Sequence, residues 1–461
     1  MSVIVSAPQG KPRAAVPISA CVAVLLLLFA ASYRAQAVPS FARQTGAACA
    51  QCHVIGFGPA LTEYGRQFKL NGYTWKADDG SLKIPLSLTA VGGYSHTSKD
   101  LPNPPAPDFS TNDNWVVQTT NLYIAGRISE HLGVFSLATY DDTINNTAWG
   151  NLDIRYARTL QIGGRSVVGG VSVNNNPTVE DLWSSTPVWG FPYVVSQLVP
   201  NPSAAPRIFG RLGQSVLGAS LYSMIDGRFY LALGLYRGLS NTWLDNLGMD
   251  SSGSPEFDGV IPYIRAAYQR QFASHYLEIG ALGMNVKERP AGLATSDTDR
   301  YTDYGIDATY QFVAGAHSID THFAWVHEDR TLDASFAAHR SSAIDNELDS
   351  TRLNATYAYR QTWIGSVGLF NINGSSNPAL FAPGPGGGSA SGSPNSRGYT
   401  LQLEVVPFGK ADSFGKPWLN VRTGVQYTGY WRFNGGDSNY DGFGRSASDN
   451  NTVFVFAWLG F

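Results

Sequence analysis

Residues Arg397–Val406 read RGYTLQLEVV. Tyr399, Leu401, Leu403 and Val405 alternate with Thr400, Gln402 and Glu404, the period-two pattern of a strand with one apolar and one polar face. The pattern recurs along the chain. In LNATYAYR, Leu353, Ala355, Tyr357 and Tyr359 alternate with Asn354, Thr356, Ala358 and Arg360. In LNVRTGVQY, Arg422 and Gln426 fall opposite Val421 and Val425. From Ile84 onward no apolar run is long enough for a membrane helix. About sixteen such segments follow one another instead, from 84–94 to 451–461. An even number of alternating segments of roughly ten residues is the signature of an outer-membrane β-barrel.

The connections follow the same rule. Short turns at 129–133, 163–165, 225–227 and 273–274 alternate with long polar stretches at 95–114, 175–212, 329–349 and in APGPGGGSASGSPNSRG (Ala382–Gly398). Periplasmic turns and extracellular loops alternate in this way. The closing NTVFVFAWLGF ends on Phe461 and resembles the C-terminal signature of outer-membrane barrels. Trp115, Tyr140, Trp363, Tyr430 and Trp431 fall at strand ends, where aromatic girdles belong. The expected lumen face carries both signs: Arg155, Arg265, Asp303, Asp307, Asp320, His322, Arg352, Arg360, Glu404 and Arg422. A soluble β-sandwich or propeller is the competing architecture.

Composition agrees. Of the 461 residues, 15% are charged and 12% aromatic, with 49 glycines and a net charge of −3. Nothing there suggests a nucleic-acid partner. Lys11 and Arg13 precede the uncharged run Ala14–Ala31, and Ala35-Gln36-Ala37 is a cleavage signature. The expected domains are a signal peptide over 1–37, a small helical domain over 38–83 and a barrel over 84–461.

The small domain carries the chemistry. Cys49-Ala50-Gln51-Cys52-His53 is C-x-x-C-H, the spacing that attaches a c-type haem. Two thiols in one helical turn each bond a vinyl group, and the adjacent His53 is the proximal iron ligand. A thioredoxin-type or zinc reading lacks the βαβ context or the second ligand pair. Leu61, Tyr64, Phe68 and Leu70 form one face of a short helix ended by Asn71-Gly72. Arg43, Arg66 and Lys69 are candidate partners of the haem propionates, or else solvated side chains. No methionine lies between Val38 and Asp100. The candidate distal ligands are therefore His96 and, more remotely, His322 or Met284.

The stretches VPSFARQTGAACAQCH and LTEYGRQFKLNGY, with VNNNPTVEDLWSSTPVWGFP at Val173–Pro192, resemble the fused outer-membrane cytochrome–porins. HVIGFGPALTEYG departs from that family's more proline-rich stretch. The resemblance implies a monohaem domain joined to a sixteen-stranded barrel, with Cys49 and Cys52 bound to haem c and His53 on the iron. It implies an electron-transfer protein of the outer membrane, either an Fe(II):cytochrome c oxidoreductase or an electron carrier alone. Extracellular Fe(II) or another donor would be oxidised and a periplasmic c-type cytochrome reduced. The alternatives are outward electron delivery, a solute porin gated or plugged by its haem domain, and a haem peroxidase.

Overall fold

The computed structural model describes residues 38–77, 84–186, 189–210, 212–414 and 418–461. The expected signal peptide and the boundary at 83/84 lie outside these. Three short helices come first: α1 (Pro39–Thr45), α2 (Cys49–Cys52) and α3 (Glu63–Leu70). The strands β1 (Leu86–Thr97), β2 (Asn114–Arg127), β3 (Leu132–Asp141), β4 (Asn146–Ile162) and β5 (Arg165–Asn174) follow. After a long connection come β6 (Val216–Ile225), β7 (Phe229–Gly238), the helix α4 (Asn241–Asn246), the two-residue β8 (Glu256–Phe257), β9 (Ile261–Phe272) and β10 (His275–Arg289). The chain continues through β11 (Asp299–Ala314), β12 (His317–Thr331), the helix α5 (Asp333–Ala337), β13 (Asp345–Tyr359), β14 (Trp363–Gly374), β15 (Ser396–Val405), β16 (Asn420–Arg432) and β17 (Thr452–Gly460).

Successive long strands pair antiparallel, with β7 joined directly to β9 and β8 lying against the end of β10. β1 pairs with both β2 and β17, through Leu86↔Ile124 and Thr89↔Gly460. The sheet therefore closes on itself as a sixteen-stranded barrel, which leaves no open edge.

The alternation that marked each strand sorts its side chains inside out. On β15, Leu401 and Leu403 are 48% and 67% exposed, while Gln402 and Glu404 are 3% and 4% exposed. Leu217, Leu221, Leu231, Leu233, Ile279 and Ile306 continue this outer apolar surface. Water does not reward such an exterior; hydrocarbon does. Trp115, Trp363 and Trp431 face outward as expected for a girdle. Tyr430 does not. Beside Trp431 on β16 it points inward, where its hydroxyl donates to the carbonyl of Pro200.

Several strands run further than the apolar pattern indicates. Residues expected in the 329–349 loop extend β12 and β13, with His327 Nδ1 3.1 Å from Asp349 Oδ1. The backbone ladder needs only a paired neighbour, so it continues past the end of the apolar band with polar side chains. Arg360 is the one expected lumen residue found elsewhere: β13 ends at Tyr359, and Arg360 sits exposed in a turn at φ 53°.

The connection between β5 and β6 is not an external loop. Val179, Leu182, Trp183, Phe191, Val194, Leu198 and Ile208 are all buried inside the barrel. Gln118 donates to the Val195 carbonyl and Gln426 to that of Val194. At the end with the long connections, Arg207 reaches Glu288. A connection this rich in large apolar residues must bury them, and the lumen offers the core it needs.

Candidate functional site

The N-terminal helices occupy the end of the lumen that carries the short turns. Gln361 donates to the carbonyls of Ala50 and Val54, and Asn420 to that of Gly56. Tyr222 donates to the Leu70 carbonyl and Tyr73 to Asp153. The β15–β16 connection, longer than the other turns at this end, contributes the Gly409 carbonyl to the amide of Ala50.

α2 is one helical turn, closed by the amide of His53 on the carbonyl of Cys49 at 2.8 Å. α3 begins at Thr62, whose hydroxyl caps the amide of Gly65, and ends at Asn71 before Gly72 at φ 72°. It packs tightly on α2: a Cβ at Gly65 would lie 2.3 Å from the Cys52 carbonyl oxygen. The α3 face that carries Arg66 and Lys69 is buried as well, because the helix lies inside the lumen.

Cys49, Cys52 and His53 line one cavity with Val38, Phe41, Leu61, Phe68, Lys69 and Trp189. The empty space it borders, part of it open solvent, is about 800 Å³. Its walls are aromatic. Phe41 stacks on Tyr73 at 5.1 Å and meets Phe68 edge-on at 5.0 Å, and Phe135 meets Trp189 at 5.9 Å. Burial pushes the His53 imidazole down to about 4, Arg422 adding to this and the Gly58 backbone opposing it. A neutral imidazole is the metal-binding form. Its Nδ1 is buried without a hydrogen-bond partner of good geometry. Burial, with Cys49 beside it, pushes the Cys52 thiol up to about 12. A redox C-x-x-C needs the opposite shift. The arrangement suits a flat apolar group held at two thiols and one axial nitrogen.

The other expected site residues separate. Lys69 lines the cavity; its Nζ donates to the carbonyls of Val179 and Asp181, both at 2.7 Å, and burial pushes it down to about 7. Arg66 turns outward from the cavity, to Gln311 at 2.7 Å and over the ring of Tyr276. Arg43 binds the carbonyl of Leu86 and lies over Trp418. His96 stands at the long-connection end of β1, 2.7 Å from Asp113. His322 is buried in the lumen between Asp320 and Thr309, and Met284 lies in an apolar cluster with Tyr236 and Tyr301. Asp181, Ser184 and Trp189, which also line the cavity, come from the inward-folded connection. Their signal was its density of large apolar residues.

No family model and no curated protein matches the chain. Among solved structures, it is similar to OmpF of Salmonella typhi in complex with daunomycin, 12% identical over 82% of this chain and 98% of that one, with a TM-score of 0.46. It is also similar to OmpT, an outer membrane protein of Vibrio cholerae (9% identical, 84% and 100% covered, TM-score 0.42), and to the outer membrane channel DcaP of Acinetobacter baumannii (14%, 82% and 97%, 0.42). By its own strand pairing the chain is a closed, porin-like β-barrel whose lumen holds its N-terminal segment.

Proposed function

We propose that this protein is an outer-membrane electron carrier, with a single c-type haem bonded to Cys49 and Cys52 and held axially by His53. The carrying observation is that these three residues share one aromatic-walled cavity at the short-turn end of the barrel. When bound, the haem supplies one-electron redox chemistry whose potential depends on its axial ligands, hydrogen bonds and burial. The chain's own residues do the rest. The outward leucines and isoleucines seat the barrel in lipid. The inward-folded connection and the N-terminal helices fill much of the lumen. His53 is kept neutral, and Lys69 places an amine on the cavity wall. The donor is extracellular Fe(II), and the acceptor a periplasmic c-type cytochrome docking at the short-turn end.

The test uses intact cells making the protein with haem-maturation machinery. Fe(II) is added without oxygen and the haem absorption followed. Reduction that disappears in His53→Ala supports the reading. A haem reduced by dithionite but untouched by Fe(II) removes iron as the donor.

The barrel itself favours a second reading, a solute porin plugged by its N-terminal segment. Planar-bilayer conductance separates the two: free passage of small solutes, unchanged by Cys49→Ala, supports the porin.

A further inference from the structure

Three arginines buried on the lumen face of the strands are neutralised. Arg155 is 2.7 Å from Asp153, Arg265 is 2.7 Å from Asp307, and Arg422 binds Glu404. A buried guanidinium ordinarily requires such a partner. Arg352, half-buried on the lumen side of β13, has none. Among the described residues it forms no ion pair and no side-chain hydrogen bond; its guanidinium stands 4.6 Å from the centre of the Phe209 ring. Two residues on, Asn354 faces the same way. It is 8% exposed, and its Nδ2 is buried without a hydrogen-bond partner.

Both side chains open into a chamber between the inward-folded connection and the wall formed by β13–β17. The chamber holds about 1250 Å³ of empty space, part of it continuous with solvent. Arg352 is the only charged side chain on its wall among the described residues. A bare backbone helps shape it. Gly368 pairs with Asn354 across the sheet, and a Cβ there would lie 2.7 Å from the ring of Phe191. Beyond Phe191 a smaller space, lined by Arg352, Asn354, His322 and Ser184, leads towards the cavity of Cys49 and His53, on whose wall Ser184 also lies.

We propose that this chamber binds a small oxyanion, a carboxylate or a phosphate, between the guanidinium of Arg352 and the amide of Asn354. A guanidinium presents five N–H donors in a rigid fork that matches both groups. Asn354 adds a donor that lacks an acceptor, and leaving a buried donor unmatched is costly. One positive charge with no acid on the wall selects an anion over a cation or a neutral solute. The site is independent of haem attachment.

The test is calorimetric titration of the purified full-length protein in detergent, at neutral pH and low ionic strength, with inorganic phosphate and separately with acetate. Saturable binding of one anion per chain is expected, weakened at least tenfold in Arg352→Gln and in Asn354→Leu, and partly restored in Arg352→Lys. Tighter binding of phosphate identifies the ligand as a phosphate, and tighter binding of acetate a carboxylate. Absence of saturable binding of either to the wild-type protein overturns the proposal. So does unchanged affinity in the two weakening variants. Should Arg352→Gln not fold, as judged by heat-modifiable gel mobility, the wild-type and Asn354→Leu titrations decide.

Discussion

Arg422 joins the barrel wall to the N-terminal segment: its Nη1 donates to the carbonyl of Phe57 at 2.9 Å while its Nη2 binds Glu404 at 2.8 Å. Its carboxylate partner therefore also holds in place the stretch that follows Cys49–His53. Glu404→Gln leaves the guanidinium buried without its counter-charge. Breaking a buried pair in this way costs about 3–5 kcal/mol, to be read as a lowered unfolding midpoint in detergent.

Gly58 lies against the same guanidinium. Its φ is +126°, and a Cβ there would be 2.4 Å from Arg422 Nη1. Gly58→Ala meets both an unfavourable backbone region and that contact. The expected result is a folded barrel with a loosened N-terminal segment, seen as faster protease cleavage between residues 54 and 62.

Lys69 ties α3 to the inward-folded connection through two carbonyls. Lys69→Met keeps the bulk but strands both acceptors, at about 1–3 kcal/mol for each unsatisfied group. Hydrogen exchange at Val179–Trp183 should quicken, and the single-channel conductance should rise as the two lumen segments separate.

Glu180, fully buried beside Ser220, is pushed up to about 7 by burial, with the Ser220 hydroxyl and Arg155 opposing the shift. The folded protein thus holds a proton that the unfolded chain releases near pH 4.5. The stabilisation this group contributes is fully present below pH 4.5 and is lost as pH rises through about 7, a change on the order of 3 kcal/mol. Glu180→Gln should remove this part of the pH dependence, as measured by denaturation midpoints between pH 4.5 and 7.5.

Leu401 tests the exterior. Leu401→Arg places a charge on the apolar face near the middle of β15, where a lipid-facing arginine costs about 2–4 kcal/mol at the bilayer midplane. Folding into lipid vesicles should weaken accordingly. An unchanged folding free energy in vesicles would falsify a lipid-facing position for Leu401.

The strands were legible because each carries its own code. Alternation in Tyr399–Val405 or Leu353–Tyr359 is local, and the sixteen long strands fall close to the segments read from it. The polar ends of β12 and β13 were not legible, since hydrogen-bond pairing there proceeds without an apolar face. Tyr430 and Trp431 show the same limit at one residue's scale: both are aromatic, and only the register with β15 decides which meets the lumen.

The sequence by itself determined the alternating strands and the C-x-x-C-H turn, because a strand's two faces and a helical turn's spacing are set within a few residues. Tertiary structure alone decided that the 175–215 connection folds inward, that Lys69 rather than Arg43 or Arg66 reaches the cavity, and that Arg352 lacks a carboxylate partner. Those outcomes depend on which residues meet across the lumen, and barrel closure brings together positions hundreds of residues apart.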